Sequence, residues 1–411
     1  MRIVIINGSS RNRFTSLDIL KDYTDKDEVI LITQLKYVQD FEEDFSKVIG
    51  LENLDSDDLL YYYIYKLNLE KKIDRIIATN EFDILRAGEL RTFLEVTGQD
   101  VTSATSYRDK VAMKDIVSKH ISTPIYVEIK GPIDVIKFKN KMGYPFIIKP
   151  RDGAGSMGVS IIKSDDDLER LFKKGITNKL MAESFVEGEM YHIDGIYKDG
   201  KLLLSQPSKY VNGCLAFQEE KYLGSVMLDK SSNLYERLNQ AVKKVLVALP
   251  SPKHAIIFHA EFFHTLDDEI IFCEIASRVG GGMILEAIEY TKGINLLSED
   301  IMAQIGINRN YNFKESAELT GWVIIPPKKG TLLSVNLNFP FEWVVNSYFK
   351  IENIGKEFKE RSSSVDSVAM LLVRGEDEKT ILERLDIIYK WFEENMEWDL
   401  EKKIEDQYAK S

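Results

Sequence analysis

The sequence predicts an α/β protein that is α+β within its subdomains, with a parallel α/β domain at the N-terminal end and a mixed C-terminal domain. Three observations carry this. Short β-branched runs alternate with helix-compatible segments over the first hundred residues, as in a parallel α/β layer. A glycine-rich stretch, "KPRDGAGSMGV" (residues 149–159), joins two further β-branched runs. Later segments alternate apolar and polar residues about tight turns, which is the pattern of antiparallel hairpins.

Taken in order, "RIVII" (2–6) is a buried strand entering the Asn7-Gly8-Ser9-Ser10 loop. Glu28–Thr33 and Ile73–Ala78 are further strands, with a helical segment at Leu59–Lys72 between them. These form one domain over residues 1–107. A second part spans 108–186. It opens with a helix in "YRDKVAMKDIVSKHISTP" (107–124), ended by Pro124. The strand "YPFIIKP", the glycine loop and the strand "VSIIKS" follow. Ser164 then caps a helix that closes at Gly175, and Leu180–Phe185 is the next strand. The third part, 187–411, holds a hairpin turning at Asp199-Gly200, a helix Leu234–Leu249 and a hairpin at 255–275. Its tail, from about 312, mixes strands (Trp322–Ile325, Val368–Val373) with an amphipathic helix presenting Ile381, Leu385, Ile388 and Phe392 on one face.

Composition sets bounds on function. A length of 411 residues exceeds one ordinary core, so several domains or subdomains are expected. A net charge of −12 argues against a nucleic-acid or anionic-membrane partner, because both demand concentrated Lys and Arg. The two cysteines, Cys214 and Cys273, have no metal-type spacing and suit a reducing compartment. The apolar N-terminal run is too short for a signal peptide. No run approaches the roughly 18–20 apolar residues of a membrane span, and a cytoplasmic protein is expected.

The glycine stretch contains Gly153-x-Gly155-x-x-Gly158, the letters of a dinucleotide fingerprint. That fingerprint works only where a helix begins after it, because the pyrophosphate sits on the helix N-terminus. Here Val-Ser-Ile-Ile follows, so the loop is a hairpin lid, and no Gly-Lys-[Ser/Thr] follows to make a Walker loop. A glycine hairpin still grips phosphate through successive backbone N–H groups, with Ser156 adding a hydroxyl and Lys149 a cation. A plain surface hairpin is the competing reading.

Several motifs now stand in order: Asp109-Lys110 ahead of a helix, "FIIKP" with its glycine loop, "ESFVEGEMYHIDG", "HAEFF" and "EIASRVGGG". Together they resemble the ATP-grasp superfamily over roughly residues 108–310. The resemblance implies an ATP-grasp fold with ATP as cofactor. It implies that Lys110 and Lys149 contact phosphates, with Ser156 in the lid. It further implies that Glu183 through Val186 form the adenine hinge, Glu183 assisting and Phe185 and Val186 giving the base an apolar platform, and that Glu189 binds the ribose hydroxyls. Outside the resemblance, Lys110 reads as a helix-start surface lysine, and Glu183 and Glu189 as solvent-facing strand carboxylates.

The segment "HAEFFHTLDDEIIFCEI" can be read from geometry. A turn centred on Asp267-Asp268 places Thr265 opposite Ile270 and Glu261 opposite Glu274. Opposed residues on one sheet face have Cβ atoms about 4.5–5.5 Å apart. Two carboxylates there repel unless one is protonated or a cation lies between them. Glu261 and Glu274 are therefore a candidate metal site, and hard oxygen ligands beside a triphosphate favour Mg²⁺, with Mn²⁺ as a substitute. A solvated edge pair in a shifted register is the alternative. Where many ATP-grasp enzymes have Glu-x-Asn, this chain has Glu274-Ile275-Ala276. That leaves one or two metal ions open, with Ser277 a weak substitute for the Asn. The resemblance sets Arg278 beside the transferring phosphoryl group, as a catalytic residue with Glu274; a structural arginine at a strand end is the alternative.

Within the superfamily, Glu-x-Ala-x-Arg-x-Gly-Gly and the long tail are most similar to the L-amino-acid ligases of the bacilysin and rhizocticin type. That resemblance implies an ATP-dependent carboxylate–amine ligase forming a dipeptide from two L-amino acids through an aminoacyl phosphate, releasing ADP and phosphate. It suggests arginine at the N-terminal position. The implied partners are small-molecule amino acids, with no nucleic acid and no membrane, and a homodimer as the assembly. His192, Asp194 and His259 stand near these motifs as substrate contacts, as a base, or as ordinary core residues. The segment 206–213, with Lys209 and Tyr210, lines the substrate end of the cleft or is a loop. The rival readings are another ligase or a carboxylase on the same ATP site, a kinase, and an ATP-binding module without turnover.

Overall fold

The computed structural model describes residues 1–411 apart from 12–13, 15–19, 22–25, 177–178, 215–220, 360, 362 and 401–411. The end of the expected third part, 401–411, thus lies outside the described residues. The mixed α/β architecture predicted from sequence is present: one parallel sheet at the N-terminal end and antiparallel sheets elsewhere.

The first β-branched runs form β1 (Arg2–Asn7), β2 (Glu28–Gln34) and β4 (Arg75–Ala78), joined by β3 (Lys47–Leu51). They pair in parallel in the order β3-β2-β1-β4. Parallel strands need cover on both faces, and β1 is buried along its whole length. Val4 and Ile6 pack towards Ile64 and Leu67 of the helix Leu59–Glu70. Ile3 and Ile5 pack towards Ile301 and Met302 of a helix far along the chain, Leu296–Ile305. Gln304 of that helix makes two hydrogen bonds to the backbone of Ala78, and Arg91 donates to its side-chain oxygen.

Helices at Asp83–Phe93, Val101–Arg108, Ile284–Lys292 and Leu296–Ile305 were not among the sequence expectations. The helix expected over 107–124 is shorter, Lys110–Val117, and ends well before Pro124. Asp109 sets its start, its carboxylate accepting from the N–H groups of Val111 and Ala112, while Tyr107 and Arg108 close the preceding helix Val101–Arg108.

The next sheet contains β5 (Tyr126–Ile129), β6 (Phe146–Pro150), β7 (Ser160–Ile162) and β8 (Leu180–Ser184), antiparallel in the order β5-β8-β6-β7. Ser164 caps the helix Asp165–Lys174 by accepting from Asp167 N–H, and Gly175 closes it.

The largest sheet begins with β9 (Gly188–Lys198), β10 (Lys201–Val211), β11 (Leu223–Met227), β12 (Ile256–Thr265), β13 (Ile270–Ala276) and β14 (Leu319–Ile325). Asp199 and Gly200 both take positive φ (49° and 79°) at the β9–β10 turn, as a tight hairpin requires. The tail adds β15 (Gly330–Val335), β16 (Val344–Phe349), β17 (Glu357–Phe358), β18 (Ala369–Gly375) and β19 (Met396–Leu400). The eight-stranded order is β13-β12-β9-β10-β11-β14-β18-β16, and β17-β15-β19 make a small separate sheet.

The tail is therefore core. Ile381, Leu385, Ile388 and Phe392 of the helix Glu378–Asn395 are all buried against β11, β14 and β18. Gly321 marks the closest approach, since a Cβ there would lie 2.3 Å from Ile381.

Leu385→Ala removes a fully buried side chain from this layer and should cost about 2–5 kcal/mol. All four tryptophans (Trp322, Trp343, Trp391 and Trp398) lie in the tail region. Denaturant unfolding followed by tryptophan fluorescence should show the midpoint falling; an unchanged midpoint would contradict this packing.

Candidate active site

A cavity of about 630 Å³ lies between the β5–β8 sheet and the face formed by β9, β10, β12 and β13. Lys110, Lys149, Ser156, Glu183, Phe185, Val186, Glu189, Glu261 and Glu274 all line it. Arg278 does not. It lines an adjoining recess with Glu81, Tyr107 and Arg108, and this recess shares Lys110, Gly153, Ala154 and Glu274 with the main cavity.

The glycine stretch connects β6 to β7, which pair antiparallel, so it is a hairpin lid with no helix behind it. Gly155, Ser156 and Gly158 take φ of 58°, 58° and 72°. Gly155 and Ser156 make a left-handed turn, closed by Met157 N–H donating to the carbonyl of Ala154 at 3.1 Å. Four hydrogen bonds to three of its carbonyls hold the loop. Lys110 Nζ donates to the carbonyl of Gly153 (2.7 Å), and Arg108 donates to that of Asp152. Ser363 Oγ and Ser364 N–H both donate to the carbonyl of Gly155, at 2.9 and 3.2 Å. The tail thus reaches the lid.

Beneath the loop lies a buried charge cluster. Lys149 is ion-paired with Glu183, and Lys114 stands 3.6 Å from the other oxygen of that carboxylate. Lys114 also donates to the carbonyl of Cys273. Burial disfavours every one of these charges, so their neighbours decide the outcome. Burial opposes the charge of Lys149, yet Glu183 carries its pKa above the ordinary lysine value. Burial pulls Lys114 down against Glu183. Burial would raise Glu183, but the two lysines hold it below the usual carboxylate range. Lys114 was not foreseen from sequence, although it lies four residues after Lys110 on the same helix face.

Glu261 and Glu274 are register partners across β12 and β13. The simple register expected from the turn needs one correction. Near the turn the pairing is His264 with Ile270 and Phe262 with Phe272, one step off the Thr265–Ile270 frame. A bulge between Glu261 and Phe262 absorbs one residue and returns the two glutamates to opposition.

Glu261 accepts from Tyr210 Oη (3.0 Å) and lies 3.4 Å from His259 Nε2. Glu274 pairs with Lys110 at 3.3 Å. Burial works against the Glu274 charge, but Lys110, Lys149 and Lys114 hold its pKa down at about 2. Two oxygen-donor carboxylates on one face of the cavity are the ligand type that suits a hard divalent cation.

The remaining candidates take distinct places. Glu189 is half-exposed at the cavity edge, paired with Lys209 and accepting from Tyr191 Oη (2.9 Å). Lys209 and Tyr210 line the same cavity. Ser277, the residue weighed as a substitute for the missing Asn, is buried, donates to Gln99 (3.2 Å) and lines neither the cavity nor the recess.

Arg278 forms an ion pair with Glu81, which also holds Arg108. Burial opposes the Glu81 charge, but Arg278 and Arg108 keep its pKa low. Nothing local in the sequence marks Glu81, since its partner Arg278 is 197 residues away. His192 and His259 do not stand free as bases. Both face Asp194, with Nδ1–O distances of 2.5 and 2.8 Å. Burial would lower His259, yet Asp194 and Glu261 raise its pKa to about 9.

Residues 142–286 match the family model of the ATP-grasp domain. The chain carries an ATP-grasp domain. The wider comparisons place it among ATP-dependent carboxylate–amine ligases. It is 25% identical over 341 residues to the L-arginine-specific L-amino acid ligase of Bacillus subtilis, covering 81% of this chain and 82% of that one. It is 32% identical over 190 residues to the D-alanine–D-alanine ligase of Campylobacter jejuni, covering 43% of this chain and about half (53%) of that enzyme. In fold it is similar to the L-amino acid ligase from Bacillus licheniformis, with a TM-score of 0.73 and 16% identity, covering 97% of this chain and 98% of that one. It is also similar to the N5-carboxyaminoimidazole ribonucleotide synthetase from Thermotoga maritima, with a TM-score of 0.70 and 17% identity, covering 97% and 99%. Among the described residues of this ATP-grasp chain, no helix is long and apolar enough to cross a membrane.

Glu274 has a folded pKa of about 2 against an ordinary 4.5. Its ionised form therefore stabilises the ATP-grasp fold fully above about pH 4.5, and that contribution is lost as the pH falls towards 2. In Glu274→Gln the contribution is absent at every pH, so acid should lower unfolding free energy less steeply than in the parent. Urea titrations across this window measure both slopes, and equal slopes would refute the lysine-held carboxylate.

Proposed function

We propose that this ATP-grasp ligase joins two L-amino acids into a dipeptide through an aminoacyl phosphate, with arginine accepted at the N-terminal position. The observation that carries the reading is the opposition of Glu261 and Glu274 on the floor of a cavity roofed by a glycine lid. The arginine preference rests on the name of the Bacillus subtilis relative. The acids lining the cavity and recess (Glu81, Glu183, Glu189, Glu261 and Glu274) already have cationic or hydroxyl partners.

ATP enters as a substrate. Its base lies against Phe185 and Val186, beside the chain segment from Glu183. Glu189 faces the ribose, and Lys149 with the N–H groups near Ser156 takes the phosphates. Glu261 and Glu274 would hold Mg²⁺, with Mn²⁺ as a substitute, which would supply neutralisation of charge on the triphosphate.

The carboxylate of the first amino acid attacks the γ-phosphorus; the bond to ADP breaks, and an acyl phosphate forms. The amine of the second attacks the acyl carbon. The carbon–oxygen bond to phosphate breaks, and the amine gives up a proton as the amide forms. Arg278, in the adjoining recess, stabilises charge on the acyl phosphate and the tetrahedral intermediate. The closed lid keeps water from the acyl phosphate. No side-chain nucleophile is needed, so catalysis consists of positioning and charge neutralisation.

The test is phosphate release from ATP and Mg²⁺ with each common amino acid, singly and in pairs. Bicarbonate and nucleotide amines serve as comparison acceptors. Release should require two amino acids, with arginine in the best pairs, and a dipeptide should be found by mass spectrometry. Glu274→Ala should lower turnover by about 100-fold or more, the scale for losing a main charge-stabilising group. Release with bicarbonate alone, or near-parent turnover in Glu274→Ala, would overturn the reading.

A further inference from the structure

Behind Glu261 lies a line of buried polar groups that no step above uses. Asp194, on β9, is 1% exposed and touches two histidines. A carboxylate only accepts, so it receives the Nδ1–H of His192 at one oxygen (2.5 Å) and that of His259 at the other (2.8 Å). His192 continues outward through Nε2 to Ser225 Oγ at 2.7 Å. His259 continues inward, its Nε2 3.4 Å from Glu261 Oε1.

The first glycine after Arg278 and Val279 presses on the same pair. A Cβ on Gly280 would stand 2.8 Å from both Asp194 Oδ1 and His259 Nδ1, with the flexible end of Ile284 nearer still at 2.5 Å. Space explains this glycine, because its φ is not among the left-handed values. One buried carboxylate thus backs both the strand that carries Glu261 and the turn that carries Arg278.

We propose that Asp194 is a positioning residue that acts through His259 to fix the Glu261 carboxylate, and through the close approach of Gly280 to seat the Arg278 turn. This rests on the reading of Glu261 as a magnesium ligand. Groups behind a metal ligand set its direction, and removing one typically costs about 10–100-fold in metal affinity. Asp194 suits the task. Its own orientation is fixed from both sides, and strands carry these groups rather than loops.

The test uses Asp194→Asn in the full chain. Asparagine keeps the shape but turns an NH₂ towards one of the two Nδ1–H groups, so one histidine must lose its seat. ADP affinity is measured by titration calorimetry with Mg²⁺ and with EDTA. Affinity in EDTA should match the parent, while the gain given by Mg²⁺ should shrink by about 10–100-fold. A merely structural role would weaken both conditions alike, and that result overturns the proposal; so does a parent-like Mg²⁺ gain. If Asp194→Asn does not fold, Gly280→Ala decides. It keeps every polar group and pushes on the Asp194–His259 contact, and the same selective loss is expected. A parent protein whose ADP affinity is indifferent to Mg²⁺ would instead overturn the reading of Glu261 itself, and this proposal with it.

Discussion

Glu261 and Glu274 face each other across a β-hairpin, and two like charges so placed repel unless cations stand near them. The surroundings supply those cations. Lys110 pairs with Glu274 directly, and Lys149 and Lys114 act on it from beside Glu183. The cluster joins the helix Lys110–Val117, β6, β8 and β13, so charge ties together the two sheets that enclose the cavity. The cavity floor carries the acids Glu261 and Glu274, and its walls carry the lysines Lys110 and Lys149. The arrangement is costly to bury and is held by mutual compensation.

Much of this was readable from the chain, and the limits have physical causes. Period-two patterning located the hairpins, and the strand following the glycine loop excluded a dinucleotide fold. Turn chemistry put Glu261 opposite Glu274, although through a register that a bulge had to restore. A bulge leaves no mark in an alternating pattern, and here its one-residue shift happened to cancel the error at the turn. The strand Lys47–Leu51 escaped notice because it is an edge strand, mostly half-exposed. Lys114 was hidden in plain view on a periodic helix. Glu81 and Ser363 carry no local mark, since Arg278 lies 197 residues from Glu81 and Gly155 lies 208 residues from Ser363.

The fold distributes the site across elements that are far apart in sequence. The parallel sheet contributes Glu81 from the loop after β4, at the carboxyl end of a strand, where open α/β sheets place ligand-binding groups. The same sheet borrows one covering face from the helix Leu296–Ile305, which follows the last ATP-grasp motif. Neither end of the molecule is self-sufficient. The N-terminal layer is completed by a later segment, and the recess around Arg278 is completed by Glu81 of the N-terminal layer.

The hold of Ser363 and Ser364 on Gly155 has a consequence for the tail. The glycine loop can leave this position only by breaking those two bonds, so the tail is coupled to the loop as well as to the core. A change in the tail that shifts Ser363 or Ser364 is therefore felt at the Gly155 carbonyl, more than two hundred residues earlier in the chain.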